Sequence, residues 1–290
     1  VPGVLTTDPR IVKNAQLMKS ISCDEMLELA SLGAAVLHPR AVEIARNFGV
    51  TLVVKSSWDN HAGTTLTSKK NQISSKGGIE HRSPVDGLEL VEHQAVVALS
   101  NIPDRPGIAA ELFESLSEGG VNVDLIIQAT HQLNSNDITF TVAENELDNA
   151  LNQCKKLINT MGGEISSKKN LTKLSIYGSG IMGRPEIASS LFQTLSDSGI
   201  NIRLIATSEV KVSCVIDAEL GKKALRSVGE VFKLNTKQIN LNPIIENNNE
   251  PEVRGIALDK DQIQVSVKNV PDKPGTASMI CSTLAEKNIS

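Results

Sequence analysis

Three short stretches of this chain carry residue types that can hold a small charged ligand: "SNIPDRPGIAAEL" at 100–112, "YGSGIMGRPEIASSL" at 177–191 and "KNVPDKPGTASMI" at 268–280. In the first, Pro106 fixes φ and Gly107 removes a side chain just where a helix is expected to begin. The first turn of that helix offers backbone N–H groups and the positive end of its dipole, a setting that favours a carboxylate. Asp104, just before it, can accept hydrogen bonds from an ammonium group. A carboxylate and an ammonium held together describe a free α-amino acid. Asn122 and Asp124, on the strand that follows, are expected near the same end of the unit. In the plainer alternative Asp104 only caps the helix and Pro-Gly only turns the chain, and the residues alone weigh the two evenly. The second stretch lacks the Asp and has Glu186 where the Gly would stand, so its pocket is expected to be altered or closed. The third restores Asp272 and Gly275 and is expected to bind as the first does, unless the fold alone demanded the shape.

A fourth stretch, "VPGVLTTDPRIV" at 1–12, sets Arg10 beside Asp8 and Pro9. The arginine can meet a nucleotide phosphate or base, but Asp8-Pro9 is also a common turn and Arg10 an ordinary solvated side chain. The turn is the stronger reading on the residues alone. His38 in "LHPR" reads as a packed turn residue. No Ser-His-Asp or Cys-His arrangement and no Walker-type phosphate loop is present. Cys23, Cys154, Cys214 and Cys281 are scattered, with no C-x-x-C pair and no histidine at ligand spacing. They read as buried reduced thiols of a cytosolic protein, with no metal cage.

The 290 residues have room for roughly two to three domains. A net charge of −4 gives no basic excess for a nucleic acid or an anionic membrane, and 2% aromatic residues leave no base-stacking platform. The longest apolar runs are too short to span a bilayer. The first residues carry no signal-peptide pattern. The chain opens at Val1 in a Pro-Gly turn and stops at Ser290 inside a repeat, which reads as a fragment.

The elements that must position these residues repeat. An offset of 79 carries Arg105-Pro106, Ile108-Ala109, Leu112-Phe113 and Gly120-Val121-Asn122 onto Arg184-Pro185, Ile187-Ala188, Leu191-Phe192 and Gly199-Ile200-Asn201. An offset of 168 carries Pro103-Asp104-Arg105-Pro106-Gly107 onto Pro271-Asp272-Lys273-Pro274-Gly275. Each copy opens with a β-branched run (Val96 to Leu99, Leu174 to Tyr177, Ile263 to Val267) and a Gly/Pro turn. A helix with apolar residues at i, i+4, i+5 and i+8 follows. In copies one and two a strand entered through glycine, another strand and a second amphipathic helix come next. The order β-α-β-β-α-β is the ferredoxin-like split unit. Its sheet edges stay open, so copies one and two are expected to associate. Residues 1–66 differ: "DEMLELASLGAAVLHPRAVEIARNFG" reads as helix-turn-helix and "VTLVVKSSW" as a buried strand, the closing part of an α/β domain. The Ser/Lys/Gly-rich stretch at 67–84 and "NPIIENNNEPEVRG" at 242–255 read as linkers.

With these motifs the segment "VPGVLTTDPRIV…ELASLGAAVLHPRAVEIARNFGVTLVVKSSW" resembles the end of the catalytic domain of aspartate kinases, of the amino-acid-kinase fold. The repeats, with "IPDRPGIAA…GGVNVDLIIQ…NDITFTV" and "GRPEIA…GINIRLIATSEVKVSCVI", resemble the ACT domains that follow it. A third copy resembles the cyanobacterial type, which has extra ACT domains. The resemblance implies an α/β remnant followed by α+β units: kinase segment 1–66, linker 67–92, ACT units 93–168 and 169–241, linker 242–260 and a truncated third unit 261–290. It implies ATP-dependent phosphorylation of the β-carboxylate of L-aspartate, with Mg²⁺, on the way to lysine, threonine and methionine, and feedback by lysine or threonine. It further implies a cytoplasmic homo-oligomer paired through ACT units. The family's aspartate-binding and phosphate-clamping residues lie upstream of Val1, so this piece alone is expected to be inactive. Adenosine-side positions fall on Leu5, Arg10, Ala35 and Val36; Leu5 and Ala35 depart from the usual Tyr and Lys. Effector positions fall on Asp104, Pro106, Gly107, Ile108, Ala109, Asn122, Val123, Asp124 and Gln128, and in copy two on Asn201, Ile202, Ser208 and Glu209. The alternatives are a non-catalytic amino-acid-sensing module and another ACT-regulated enzyme such as an amino-acid dehydrogenase.

Overall fold

The computed structural model describes residues 2–32, 36–58, 60–68, 84–130, 135–243, 253–258, 263, 265, 267, 270–287 and 289. Three short strands near the N-terminus make a small sheet in the order β1 (Ser20–Ser22), β3 (Thr64–Thr67), β2 (Leu52–Val54). Helix α1 (Cys23–Ser31) starts at a capping box, in which Ser22 and Glu25 satisfy each other's backbone N–H groups. Helix α2 (Pro39–Phe48) is capped by His38, whose Nδ1 accepts the Arg40 N–H at 3.2 Å, and closed by Gly49 at φ 63°. His38 is therefore a turn residue, as its sequence context suggests, but it is exposed at the helix start rather than packed. Val4, Met18, Ile21, Met26, Leu27, Val42 and Leu66 form the core of this segment. The strand expected to be buried, β2, is instead an edge strand with Val53 55% exposed. Among the described residues it pairs only with β3, and Val53 points away from the core on which Leu52 and Val54 pack.

Two ferredoxin-like units share one seven-stranded sheet. Its order is β5 (Val123–Thr130), β6 (Ser135–Ala143), β4 (Gly87–Pro103), β7 (Glu164–Tyr177), β9 (Lys211–Asp217), β8 (Leu204–Thr207), with β10 (Ile239–Leu241) parallel to the start of β4. The expected association of copies one and two is therefore achieved through the central β4–β7 ladder. β4 begins at Gly87, inside the span expected to be linker, because Leu88 and Leu90 are fully buried strand residues. The first half of β4 lies between β7 and β10 and serves copy two; the second half serves copy one.

A break in the ladder makes this sharing possible. Its register shifts between Val91 and Val96, His93 takes φ 56° and Asn170 on β7 takes φ 57°. The break resets the strand alternation. Leu88 and Leu90 reach one helix-covered core, whereas Ala95, Val97 and Leu99 reach the other. Copy one is covered by α3 (Ile108–Glu118) and α4 (Leu147–Met161), copy two by α5 (Pro185–Asp197) and α6 (Gly221–Val231). The helix-free faces meet each other through Leu171, Leu204 and Val215 against Val96, Leu125 and Ile127.

Copy three contributes helix α7 (Thr276–Ala285), which packs Ala277 and Cys281 into the copy-two core. The strand expected at 263–267 differs: Ile263, Val265 and Val267 are 89%, 77% and 58% exposed and lie in no strand. Among the described residues no neighbouring strand lies beside them, and an unpaired run gains no ladder hydrogen bonds. The stretch 69–83, expected to be linker, falls outside the described residues.

Candidate effector and nucleotide sites

In copy one the loop has the expected form. Gly107 sits at φ 93° as the residue before α3, no side chain caps the helix, and Asp104, Pro106 and Gly107 are exposed while Ile108 is buried. Arg105 turns away to grip Glu111 through two 2.7 Å bonds. The Asp104 carboxylate accepts from Asn136 Nδ2 at 2.7 Å. Asn136 is 1% exposed, and its other amide atom, Oδ1, is buried with no hydrogen-bond partner among the described residues. A buried acceptor left unpaired costs about 1–3 kcal/mol, so this corner favours a donor.

The strand residues assigned to the same site are elsewhere. β4 ends at the loop, pairing Pro103 with Ser135, whereas Val123 pairs with Val142 at the far end of β6. β5 runs parallel to β4, so Asn122, Val123 and Asp124 lie at the opposite end of the unit from Asp104. This corrects the expectation of a shared end. Asn122 donates its backbone N–H to Glu146 at 3.1 Å, Asp124 is ion-paired with Lys173, and Gln128 is exposed farther along β5. One unit does not bring loop and strand together.

Two units do. Where α7 lies against α5, Asn201 Nδ2 donates to Asp272 Oδ1 at 2.7 Å, joining the copy-two strand entry to the copy-three loop. Arg203 approaches the other Asp272 oxygen at 3.3 Å and holds Asp217 at 2.9 Å. Gly275 repeats the φ of 93° found at Gly107, and again no side chain caps the helix. The seam borders an open cavity of about 290 Å³ with Asn201, Ile202, Asp272 and Gly275 in its wall. Arg203 was not among the expected residues, although the offset of 79 shows it replacing Asp124 and so reversing the charge.

The copy-two loop, expected to be altered or closed, is altered and open. Gly183 takes φ 65°, and Met182 to Pro185 open on a cavity of about 670 Å³ shared with Ser208, Glu209, Glu28 of α1 and Cys281 of α7. Ser208 Oγ donates to Glu28 Oε1 at 2.7 Å, so this expected effector residue touches the N-terminal segment. A helix start lacking a neighbouring Asp does not have to close when its walls come from other units.

On the nucleotide side, Arg10 is 87% exposed and forked onto Asp8, and the Arg10 N–H also bonds Asp8 at 2.9 Å. The Asp8 carboxylate, through a hydrogen bond first and its charge second, raises the Arg10 pKa further. Leu5 bridges to Leu17, Val36 packs on the segment's core, and Ala35 falls outside the described residues. Among the described residues no group of three or more His, Cys, Asp or Glu gathers to hold a metal, so they do not by themselves build a Mg²⁺ cage. None of the described helices is long and apolar enough to cross a membrane.

Residues 1–56 match the amino acid kinase family, and residues 97–157 and 174–232 match the ACT domain. An aspartokinase of Thermus thermophilus is 39% identical over 234 residues, 80% of this chain and 56% of that protein. One from Helicobacter pylori is 39% identical over 81% of this chain and 57% of its own length. The crystal structure of aspartate kinase from Synechocystis is 48% identical over all of this chain and 50% of that one, with a TM-score of 0.87. The chain spans about half the length of these relatives. With its kinase-family segment joined to paired ACT units, it belongs to the aspartokinase family.

Proposed function

We propose that this chain is the regulatory part, with the closing piece of the catalytic domain, of a feedback-regulated aspartate kinase. The whole enzyme transfers the γ-phosphoryl group of ATP to the β-carboxylate of L-aspartate, giving 4-phospho-L-aspartate, with Mg²⁺ bound by the complete kinase domain. Leu5, Arg10, Ala35 and Val36 stand at the adenosine side. The piece itself does not turn over, and it acts in the cytoplasm, a reading supported by its four free thiols.

The ligand of the ACT units is a free amino acid, lysine or threonine. The observation that carries this is the Asn201–Asp272 seam: a carboxylate, an amide and an uncapped helix start converge on one small cavity. The ammonium group goes to Asp272 and the carboxylate to the first turn of α7. By the repeat, Asp104 with Pro106, Gly107, Ile108 and Ala109 is the same half-site in copy one, with Asn136 Oδ1 as an extra acceptor. Its other half is a strand entry like Asn122, Val123 and Asp124, supplied by a second copy of the chain, so the protein pairs through ACT units. Gln128 borders that half-site; Ser208 and Glu209 form the wall facing α1.

Calorimetric titration with L-lysine and L-threonine tests this on the wild type, Asp104→Ala and Asp272→Ala. Removing a charge-assisted hydrogen bond weakens binding by roughly 10- to 100-fold. No heat from either amino acid at millimolar concentration rejects the effector reading. Aspartyl phosphate formed by the 290-residue chain from aspartate, ATP and Mg²⁺ rejects its inactivity.

A further inference from the structure

The stretch before copy three was expected to be linker, yet its end lies against the kinase-family segment. The Ile256 N–H donates to the Thr6 carbonyl at 2.8 Å. The Arg254 guanidinium sits 3.3 Å from both carboxylate oxygens of Glu25 and also bonds the Ser20 carbonyl. Between them, a Cβ added at Gly255 would stand 2.9 Å from Met18 Cε, the mobile end of that side chain, and 3.3 Å from the Thr6 backbone oxygen, so a β-branched side chain there crowds the contact with Thr6.

The surface gripped in this way is not arbitrary. Thr6 closes the loop carrying Asp8 and Arg10: its N–H donates to the Gln16 carbonyl at 2.9 Å, and its Oγ1 accepts the Gln16 N–H at 3.0 Å. The Met18 N–H donates to the Val4 carbonyl at 2.9 Å one step farther in. Glu25 is the capping-box residue of α1 and already accepts the Ser22 N–H at 2.8 Å. Arg254 therefore adds a charge to the carboxylate that starts α1, and Ile256 adds a hydrogen bond at the base of the Arg10 loop. At its other end the same chain enters the copy-three loop, where Asp272 meets Asn201.

We propose that residues 253–256 are a strap that positions the Arg10 loop and carries the state of the Asn201–Asp272 seam to it. Arg254 and Gly255 are positioning residues: they act through Thr6 and Glu25, not on a ligand. The relay half of the inference rests on the amino-acid reading of the seam; the positioning half does not.

Hydrogen exchange of the 290-residue chain separates the two. Without any amino acid, Arg254→Ala and Gly255→Val speed exchange across residues 4–18 by about tenfold, the loss of roughly one hydrogen bond's protection. Exchange across 147–161 in copy one is unchanged, and Arg254→Lys recovers part of the protection. Unchanged exchange at 4–18 in both variants, or equal acceleration everywhere, overturns the strap. In the second arm, L-lysine or L-threonine alters exchange at 4–18 in the wild type, whereas the variants still release binding heat but show no change there. A change that persists in the variants, or binding that never alters 4–18 in the wild type, overturns the relay. If neither amino acid binds, the effector reading fails, and the relay with it, while the strap is decided by the first arm alone.

Discussion

The ion pair between Lys173 and Asp124 joins the two units across their helix-free faces, and its loss is a measurable test of how they are held together. The Lys173 side chain is 11% exposed and that of Asp124 42% exposed, so removing Asp124 strands a nearly buried ammonium group while the carboxylate itself was half in water. Breaking a buried pair costs 3–5 kcal/mol, whereas an exposed pair contributes 0–1. This geometry lies between them, so Asp124→Ala is expected to lower stability by about 1–3 kcal/mol. Lys173→Met paired with Asp124→Leu removes both charges and is expected to recover most of it, since Leu171 and Leu125 already make this seam apolar. Urea unfolding of wild type, Asp124→Leu, Lys173→Met and the double variant measures the coupling, with Asp124→Ala measured beside them. A single-variant loss below about 0.5 kcal/mol, or a double variant that simply sums the singles, refutes the reasoning. The same variants bear on the effector assignment of Asp124. If its carboxylate serves Lys173, Asp124→Asn leaves amino-acid affinity within about twofold, whereas a tenfold loss (about 1.4 kcal/mol) with stability unchanged assigns it to the ligand.

Gly107 and Gly275 share φ 93°, but a Cβ at Gly107 meets nothing within 4 Å while one at Gly275 meets Ser196 Oγ at 2.8 Å. Both Ala variants carry a backbone strain of about 1–2 kcal/mol, and only Gly275→Ala is expected to loosen α7 from α5, read as faster exchange in 276–285. Burial pushes the Cys154 thiol up to about 11, so at pH 8 it is expected to react with a disulfide reagent only on unfolding; rapid labelling of native protein at that residue counters this. Asp217 is held below the usual carboxylate range, first by the hydrogen bond from Arg203, against burial, with Lys168 helping. Because its folded pKa is depressed, the stabilisation is present above about 3.9 and is lost as pH falls through the folded value. Melting of the wild type is therefore expected to drop more steeply below pH 4 than that of Asp217→Asn, and parallel slopes would exclude the pair as the cause.

What could be read from the sequence divides along a physical line. Helices and loops of the repeats were legible because a 3.6-residue period and Gly/Pro turns are local signals, and Gly107 and Gly275 share one backbone angle. The first half of β4 was not, because Glu89 and Glu92 give 87–92 a polar look, while the pairing that makes it strand comes from residues far along the chain. Lys211 meets Glu89 at 2.7 Å, and β10 lies beside it. The placing of Asn122 beside Asp104 failed for the same reason. Strand direction within a unit is a tertiary fact, and β5 runs parallel to β4.

Among the site residues, Asp104 and Asp272 could be found by repetition, whereas Asn136, Lys173 and Arg254 could not, since each acts through a partner distant in sequence. The acidic start of α1 joins these threads. Asp24 and Glu25, with Glu28 one turn on, look like ordinary helix-start charges. Each is held from a different direction. Arg46 links Asp24 to Asp86 at the entry to β4, Arg254 reaches Glu25 from the strap, and Ser208 donates to Glu28 from the copy-two hairpin. A helix nine residues long thus receives one polar contact from α2, one from the hairpin and one from the segment before copy three. A helix that moves as one hydrogen-bonded unit would couple these contacts: a shift imposed at any one would change the geometry at the other two. Coupling of this kind needs no contact between an amino acid and the Arg10 loop, only a difference in how the three contacts fit with and without it.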